Sequence, residues 1–382
     1  MPKKTVLETT VGGVKLSTPL LLASGHITET PDFFLKTSGC AGVVTRSLKE
    51  NPPPERKNVP APRYVVFDEG RSMLNCEWGN SVPWTEWYNH GISDVKNVGG
   101  SLILSLSGRD IEGCCNLIRK FNDQDIDAFE INISCSHSGA VHGNLNIDIE
   151  HLKKILKHVR LLTRKPIWIK LSYSSFLLEM AKTSEELGAD AIVCSNSIGP
   201  GLLIDVETGF PKLGIKGGAG GVTGRAIFPI ALNCVYQLAQ TVTIPIVGVG
   251  GIFTADDVVQ MLMAGASAVQ LYTAPAMLGP GIFSTISKDL TEFLSKHGYN
   301  SVKDLIGLSI GKAASNYFQT PKPTLNPSLC VGCGKCRKAC AFSAITLYNI
   351  IDYAKCIGCN ACVGVCTNKA LTAHFGRDGN DE

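Results

Sequence analysis

Several signals that would assign this 382-residue chain to a particular class are missing from it. Neither sign of charge dominates: 36 Lys and Arg stand against 33 Asp and Glu, a net charge of +3, so nothing global points to nucleic acid or a membrane surface. The N-terminus, Met1-Pro2-Lys3-Lys4 followed by Thr, Val and Glu, has no apolar stretch of the kind a secretory signal needs. No apolar run approaches the roughly 18 residues of a spanning helix. The expectation is a soluble cytoplasmic protein. No G-x-G-x-x-G occurs either, which removes the usual support for an intrinsic nicotinamide-binding Rossmann domain. Charged residues make up only 18% and apolar ones 44%, a composition that excludes extended disorder and suits a well-buried globular enzyme.

Cysteine, by contrast, is abundant. Of fifteen, seven (Cys40, Cys76, Cys114, Cys115, Cys135, Cys194, Cys234) are scattered and eight crowd into positions 330–366. Without an export signal, clustered cysteines read as metal ligands rather than disulfides. Their spacing is C-x2-C-x2-C-x3-C twice: Cys330, Cys333, Cys336, Cys340, then Cys356, Cys359, Cys362, Cys366. Thiolates suit iron–sulfur clusters, and this is the two-cluster ferredoxin run, in which the fourth cysteine of each run ligates the other cluster. The expected ligand sets for two [4Fe–4S] clusters are therefore Cys330, Cys333, Cys336 with Cys366, and Cys356, Cys359, Cys362 with Cys340. Paired structural zinc sites are the alternative, but zinc usually takes two C-x2-C pairs across a longer gap. Ala341 and Thr367 stand where the ferredoxin run usually has proline.

Upstream, short apolar runs alternate with stretches of helical periodicity. Pro19–Ala23, Gly42–Thr45, Ser101–Leu106, Phe129–Ile133, Ile167–Leu171, Ala191–Cys194, Ile244–Val247 and Ala268–Tyr272 read as strands, with helices such as Ile149–Leu162, Phe176–Leu187 and Phe228–Ala239 between them. This pattern predicts parallel βαβ units, and eight strands in this length fit a (β/α)8 barrel. A doubly wound sheet is the alternative. The expected organisation is an α/β TIM barrel over 1–318, a proline-rich linker over 319–327, a ferredoxin-like domain over 328–372 and a polar tail over 373–382. In such a barrel the active site lies at the C-terminal strand ends, with phosphate at the loops after strands 7 and 8. Gly248-Val249-Gly250-Gly251 follows strand 7, Tyr272-Thr273 ends strand 8, and Gly217–Gly224 precedes the seventh helix. Each glycine cluster alone could be a mere turn; together they sit where backbone N–H groups could hold a phosphate.

The stretch Glu130-Ile131-Asn132-Ile133-Ser134-Cys135-Ser136-His137 closely resembles the substrate loop of the dihydroorotate and dihydropyrimidine dehydrogenase superfamily. Ala23-Ser24-Gly25, Lys170, Ser195-Asn196-Ser197, Gly220–Gly224, Gly250-Gly251 and Tyr272-Thr273 extend the resemblance over essentially the whole chain. A barrel followed by two clusters, and the Cys-x-His order at Cys135 and His137, resemble the catalytic subunit of bacterial NAD-dependent dihydropyrimidine dehydrogenases. The resemblance implies FMN across the barrel mouth, contacted by Ala23, Ser24 and Arg46, with its phosphate at Gly224, Gly250, Gly251, Tyr272 and Thr273. It implies Lys170 against the flavin N1/O2 edge, where a cation stabilises reduced flavin. Asn75, Glu77, Asn132, Ser134, His137, Asn196 and Ser197 would contact a flat ring substrate, and Cys135 would transfer the proton that accompanies hydride movement at flavin N5. The implied reaction is reduction, or the reverse, of the ring C=C bond of uracil or thymine. The alternative is the same chemistry on dihydroorotate or another flat cyclic enone or aromatic ring, and a non-catalytic electron-transfer subunit is a further one. The clusters would pass electrons between FMN and an FAD/NAD(P)H partner subunit or a ferredoxin, in a homodimer or heterotetramer.

Three departures bear on these expectations. Arg46 replaces the lysine usual after strand 2, and the two are not interchangeable. Ser136 replaces a proline in the cysteine loop. Trp78, Trp84 and Trp87 follow Asn75-Cys76-Glu77, either as packing residues or as the walls of a larger pocket.

Overall fold

The computed structural model describes residues 6–51, 61–76, 82–133, 145–312, 322–346 and 350–373, and of 145–148 the backbone alone. The chain divides between Lys312 and Ala313 into two compact units, ahead of the proline-rich stretch.

The first unit is a closed eight-stranded parallel barrel: β1 (Leu20–Leu22), β2 (Gly42–Val44), β3 (Ser101–Ser107), β4 (Ala128–Asn132), β5 (Ile167–Leu171), β6 (Ala191–Cys194), β7 (Ile246–Val249) and β8 (Ala266–Leu271). Strands run in sequence order, and β8 closes onto β1 through Val269↔Leu20 and Gln270↔Leu21. Each expected strand is present. These strands are buried on both faces, which is why they read as near-continuous apolar runs such as Ile-Trp-Ile-Lys-Leu in β5. Outward side chains, including Leu104, Phe129 and Ile169, pack under the helices in the larger core. Inward ones, including Ile103, Ala128, Trp168 and Val193, fill the lower interior.

A hairpin, Thr9–Val11 paired with Val14–Leu16, joins that inner core through Val11, Val14 and Leu16. Thr9 Oγ1 donates to Ser267 O (2.9 Å) near the start of β8. Gly12 makes the turn at φ +49°, where a Cβ would stand 2.7 Å from Asp190 O, so only glycine fits beneath β6. The lower end is thereby filled with apolar side chains, which leaves the C-terminal end for chemistry.

Insertions after β2 and β6 build a second sheet. Ile198–Gly201, Gly220–Gly224, Ser72–Asn75 and Tyr64–Phe67 pair antiparallel in that order. The glycine-rich stretch read as a turn or phosphate loop is therefore also a strand. Its glycines are required by closeness: a Cβ on Gly220 would lie 2.3 Å from Asn75 O. Trp87 is fully buried and donates from Nε1 to Glu29 O (2.8 Å), while Trp84 packs edge-on against Tyr88 and Phe121. Both are packing residues; Trp78 lies outside the described residues.

The second unit is small and internally repeated. Lys335–Ala339 and Ala361–Gly364 are short helices carrying the third cysteine of each run. Their N-caps Gly334 and Asn360 are both left-handed (φ +71° and +56°). Thr324–Leu325, within the stretch read as linker, pairs antiparallel with Leu371–Thr372. No helix among the described residues is long and apolar enough to cross a membrane.

Candidate functional site

A cleft of about 480 Å³ opens where β1, β5, β6, β7 and β8 end. Ala23 and Ser24 from β1, Lys170 from β5, and Asn196 and Ser197 after β6 line it. Gly224 from the second sheet, Gly250 and Gly251 after β7, and Tyr272 and Thr273 after β8 complete that wall. All were singled out from the sequence. Ser195 and Thr223, quoted within the resembling segments but given no role, also line it, as do Phe253 and Gln270, which were not singled out.

The glycine wall has a clear steric basis. Gly251 adopts φ +69°, and a Cβ there would meet Phe228 Cβ at 2.6 Å and Gly224 O at 2.7 Å. Gly224 adopts φ +83°, with a Cβ 2.3 Å from Arg71 O. These residues bare backbone at the site where a barrel holds phosphate. Around them, Arg225 Nη1 donates to Gly251 O (3.3 Å) and to Asp257 Oδ1 (2.5 Å). Asp257 Oδ2 accepts from Phe253 N and Thr254 N (2.9 and 3.0 Å), tying the loop to the start of helix Ala255–Met263. Gly251→Ala is expected to fold but to lose at least about tenfold in FMN affinity, since a β-carbon and a disfavoured φ push this turn out of place. Flavin fluorescence titration of the apoprotein measures it; unchanged affinity would remove this turn from the cofactor site.

Gly25, at the end of β1, solves a different problem. A Cβ on it would stand 2.1 Å from the Tyr272 ring, so the glycine lets that ring lie across the mouth. His26 then contacts the Tyr272 hydroxyl through Nδ1 and packs against Tyr64.

The cleft floor is polar. Asn132 and Lys170 are register partners on β4 and β5. Asn196 Nδ2 donates to Asn132 Oδ1 (3.3 Å), and Asn132 Nδ2 to Ser47 Oγ (3.1 Å). Lys170, 4% exposed, stands 3.7 Å from Glu130 Oε1. Asn75 lies in the second sheet, its Nδ2 donating to Gly221 O (3.0 Å). Arg46 is not among the cleft-lining residues. It is buried and pairs with Glu29 beside Trp87, the guanidinium fork finding a carboxylate on the barrel flank. Glu77, Ser134, Cys135 and His137 lie outside the described residues. Several other cysteines of this unit suit packing: burial pushes the Cys40 thiol up to about 12 and that of Cys114 further still. The Cys194 thiol is raised by its contact with Cys234 and by burial.

In the second unit, Cys330, Cys333, Cys336 and Cys366 line one cavity, and Cys340, Cys356, Cys359 and Cys362 line another. The fourth cysteine of each run thus stands with the first three of the other. Each is oriented alike, Cys340 Sγ accepting from Ala344 N (3.3 Å) and Cys366 Sγ from Ala370 N (3.2 Å). Four sulfurs around one small cavity fit a four-iron cluster. Ile345, Ile351 and Leu371 wall the sites with apolar surface.

Comparison with known proteins accounts for both units. The dihydroorotate dehydrogenase family matches residues 6–294, and the 4Fe–4S binding domain matches 323–346 and 349–372. Among curated proteins, the chain is 33% identical over 310 residues to "Dihydroorotate dehydrogenase B (NAD(+)), catalytic subunit" of Pyrococcus horikoshii, covering 80% of this chain and 99% of that protein. Counterparts of the same name in Thermoplasma acidophilum (34%; 80% of this chain, 99% of that protein) and Methanosarcina mazei (33%; 80% and 96%) are similar. A fifth of this chain lies outside these matches.

Proposed function

Because the chain belongs to the dihydroorotate dehydrogenase family, whose members bind FMN, and carries two 4Fe–4S motifs, we propose that this oxidoreductase of CH–CH bonds interconverts dihydroorotate and orotate. The observation that carries the reading is a glycine-walled cleft lined by buried Lys170 and by Asn196, whose Nδ2 donates to Asn132 Oδ1 on the strand beside Lys170. When bound, FMN supplies the hydride acceptor and the clusters supply one-electron carriers. The chain supplies everything else. Lys170 holds a positive charge where negative charge gathers on reduction. Asn132 and Asn196 present amide groups that match the carbonyls and carboxylate of a flat ring. Oxidation of the ring removes a hydride from one carbon and a proton from its neighbour, and Cys135 Sγ accepts that proton.

The sequence alone favoured uracil or thymine over dihydroorotate. The names of the relatives favour dihydroorotate, and that substrate is therefore placed first. One observation still supports the pyrimidine reading: the cluster unit fused to this barrel, which extends the chain past its match to those relatives. The electron partner proposed is an FAD- and NAD-using subunit, or a ferredoxin, docking in an assembly built on a barrel dimer. An anaerobic panel monitoring flavin absorbance separates the substrates. Bleaching by dihydroorotate supports the proposal; bleaching by dihydrouracil or dihydrothymine alone would return the pyrimidine reading; no bleaching by any of them overturns both.

A further inference from the structure

A carboxylate with no part in the reaction as derived sits at the centre of the barrel. Glu130 is fully buried, one strand-repeat below Asn132 on the inward face of β4. Three strands meet it, two flanking β4 and one from across the barrel: Lys170 Nζ from β5 at 3.7 Å, Ser105 Oγ from β3 donating to Oε1 at 3.2 Å, and Gln270 Nε2 from β8 donating to Oε2 at 2.8 Å. From Ser105 a chain of hydrogen bonds climbs to the cleft. Ser47 Oγ is 3.0 Å from Ser105 Oγ, Asn132 Nδ2 donates to Ser47 Oγ, and Asn196 Nδ2 donates to Asn132 Oδ1.

The carboxylate gives this chain a direction. An ionised carboxylate only accepts, so it commits the Ser105 proton downward. Ser105 then accepts from Ser47, whose own proton is used, and Ser47 can only accept from Asn132. A flipped Asn132 would set its carbonyl oxygen against an oxygen with no proton left to offer. The Asn132 carbonyl therefore faces Asn196, whose Oδ1 in turn accepts from Ser197 N (2.8 Å). Both amides are held with Nδ2 as the donor in this row, which fixes the sense in which they present donor and acceptor to a ring substrate.

We propose that Glu130 is a positioning residue acting through Lys170 and through Asn132. It anchors and partly neutralises the ammonium that faces the flavin, and it sets the polarity of the amides that read the substrate. The first arm rests on the reading that the cleft holds FMN against Lys170. A merely structural pair would stabilise the barrel without touching either property.

Two variants separate the arms. Glu130→Gln keeps the shape and removes the charge. With the Glu130 charge removed from beside Lys170, the FMN-loaded protein should bind sulfite, whose flavin adduct is anionic, roughly tenfold more tightly. Ser105→Ala leaves the ion pair in place and cuts the chain to Ser47. Sulfite affinity should not change, while KM for the ring substrate rises roughly five- to tenfold with little change in kcat. Sulfite affinity unchanged in E130Q, or KM unchanged in S105A, overturns the inference. Should E130Q not fold, the charge-neutral pair E130Q/K170M decides. Recovery of soluble protein supports the pairing, because breaking a buried pair costs more than removing both partners, and no recovery overturns it. The sulfite assay needs no substrate, so it stands apart from the choice of dihydroorotate; a wild-type chain that holds no FMN would sink the underlying reading instead.

Discussion

Replacing Cys135 by alanine will lower substrate turnover by roughly 10²–10⁴-fold while leaving FMN and iron content at wild-type levels. The size follows from the reaction. Taking hydride from one ring carbon while its neighbour keeps its proton builds charge on the ring, and a positioned base removes it in the same step. A thiol titrates near about 8.5 when unperturbed, closer to neutrality than any hydroxyl. In the oxidative direction the wild-type rate should therefore climb with pH until the thiolate is formed, and Cys135→Ser should lose that limb. Cys114 and Cys194 are buried with thiols shifted up, which suits them to packing rather than to proton transfer. Stopped-flow flavin reduction gives the rate directly, and a variant within fivefold of wild type would remove Cys135 from the chemistry.

The second large effect concerns the clusters. Cys340→Ser should destroy the site lined by Cys356, Cys359 and Cys362, and Cys366→Ser the site lined by Cys330, Cys333 and Cys336. Each should about halve bound iron, because a three-thiolate site loses its four-iron cluster. Double variants expose the crossing. Cys340→Ser with Cys356→Ser damages one site and should keep half the iron, whereas Cys340→Ser with Cys330→Ser damages both and should keep almost none. If each run instead held its own cluster, the two results would exchange places. Oxidation of substrate by a small dye should persist in every one of these proteins, since only the route to a protein partner is cut. Loss of dye-linked activity along with iron would mean that the clusters do more than carry electrons.

Some of this site is legible in residue order and some is not. Lys170, Asn196, Gly250, Gly251 and Thr273 are each at, or directly after, the end of a barrel strand. Strand ends can be read from apolar runs, and a barrel gathers all of its C-terminal ends at one mouth. Arg46 also follows a strand, yet its guanidinium pairs with the half-buried carboxylate of Glu29, which a planar fork matches well. The second sheet was not legible: Gly220–Gly224 has almost no side-chain signature of a strand and pairs with Ser72–Asn75 far back in the chain. The Glu130 network had a weak signal, a carboxylate sharing a strand face with Asn132. Its meaning depends on Ser105, Lys170 and Gln270 arriving from three other strands.

The sequence by itself determined the eight-stranded barrel, the two iron–sulfur motifs and the chemistry class. The barrel and the cluster motifs depend on local periods and spacings: apolar runs of strand length and cysteines at fixed intervals. The chemistry class rested instead on the resemblance of Glu130–His137 and its companion segments to a known superfamily. Only the tertiary structure decided which glycine-rich segment is a strand, which cation lines the cleft and which way the amides point. These depend on distances between segments remote along the chain, set by barrel closure and by the obligation of each buried polar group to find a partner.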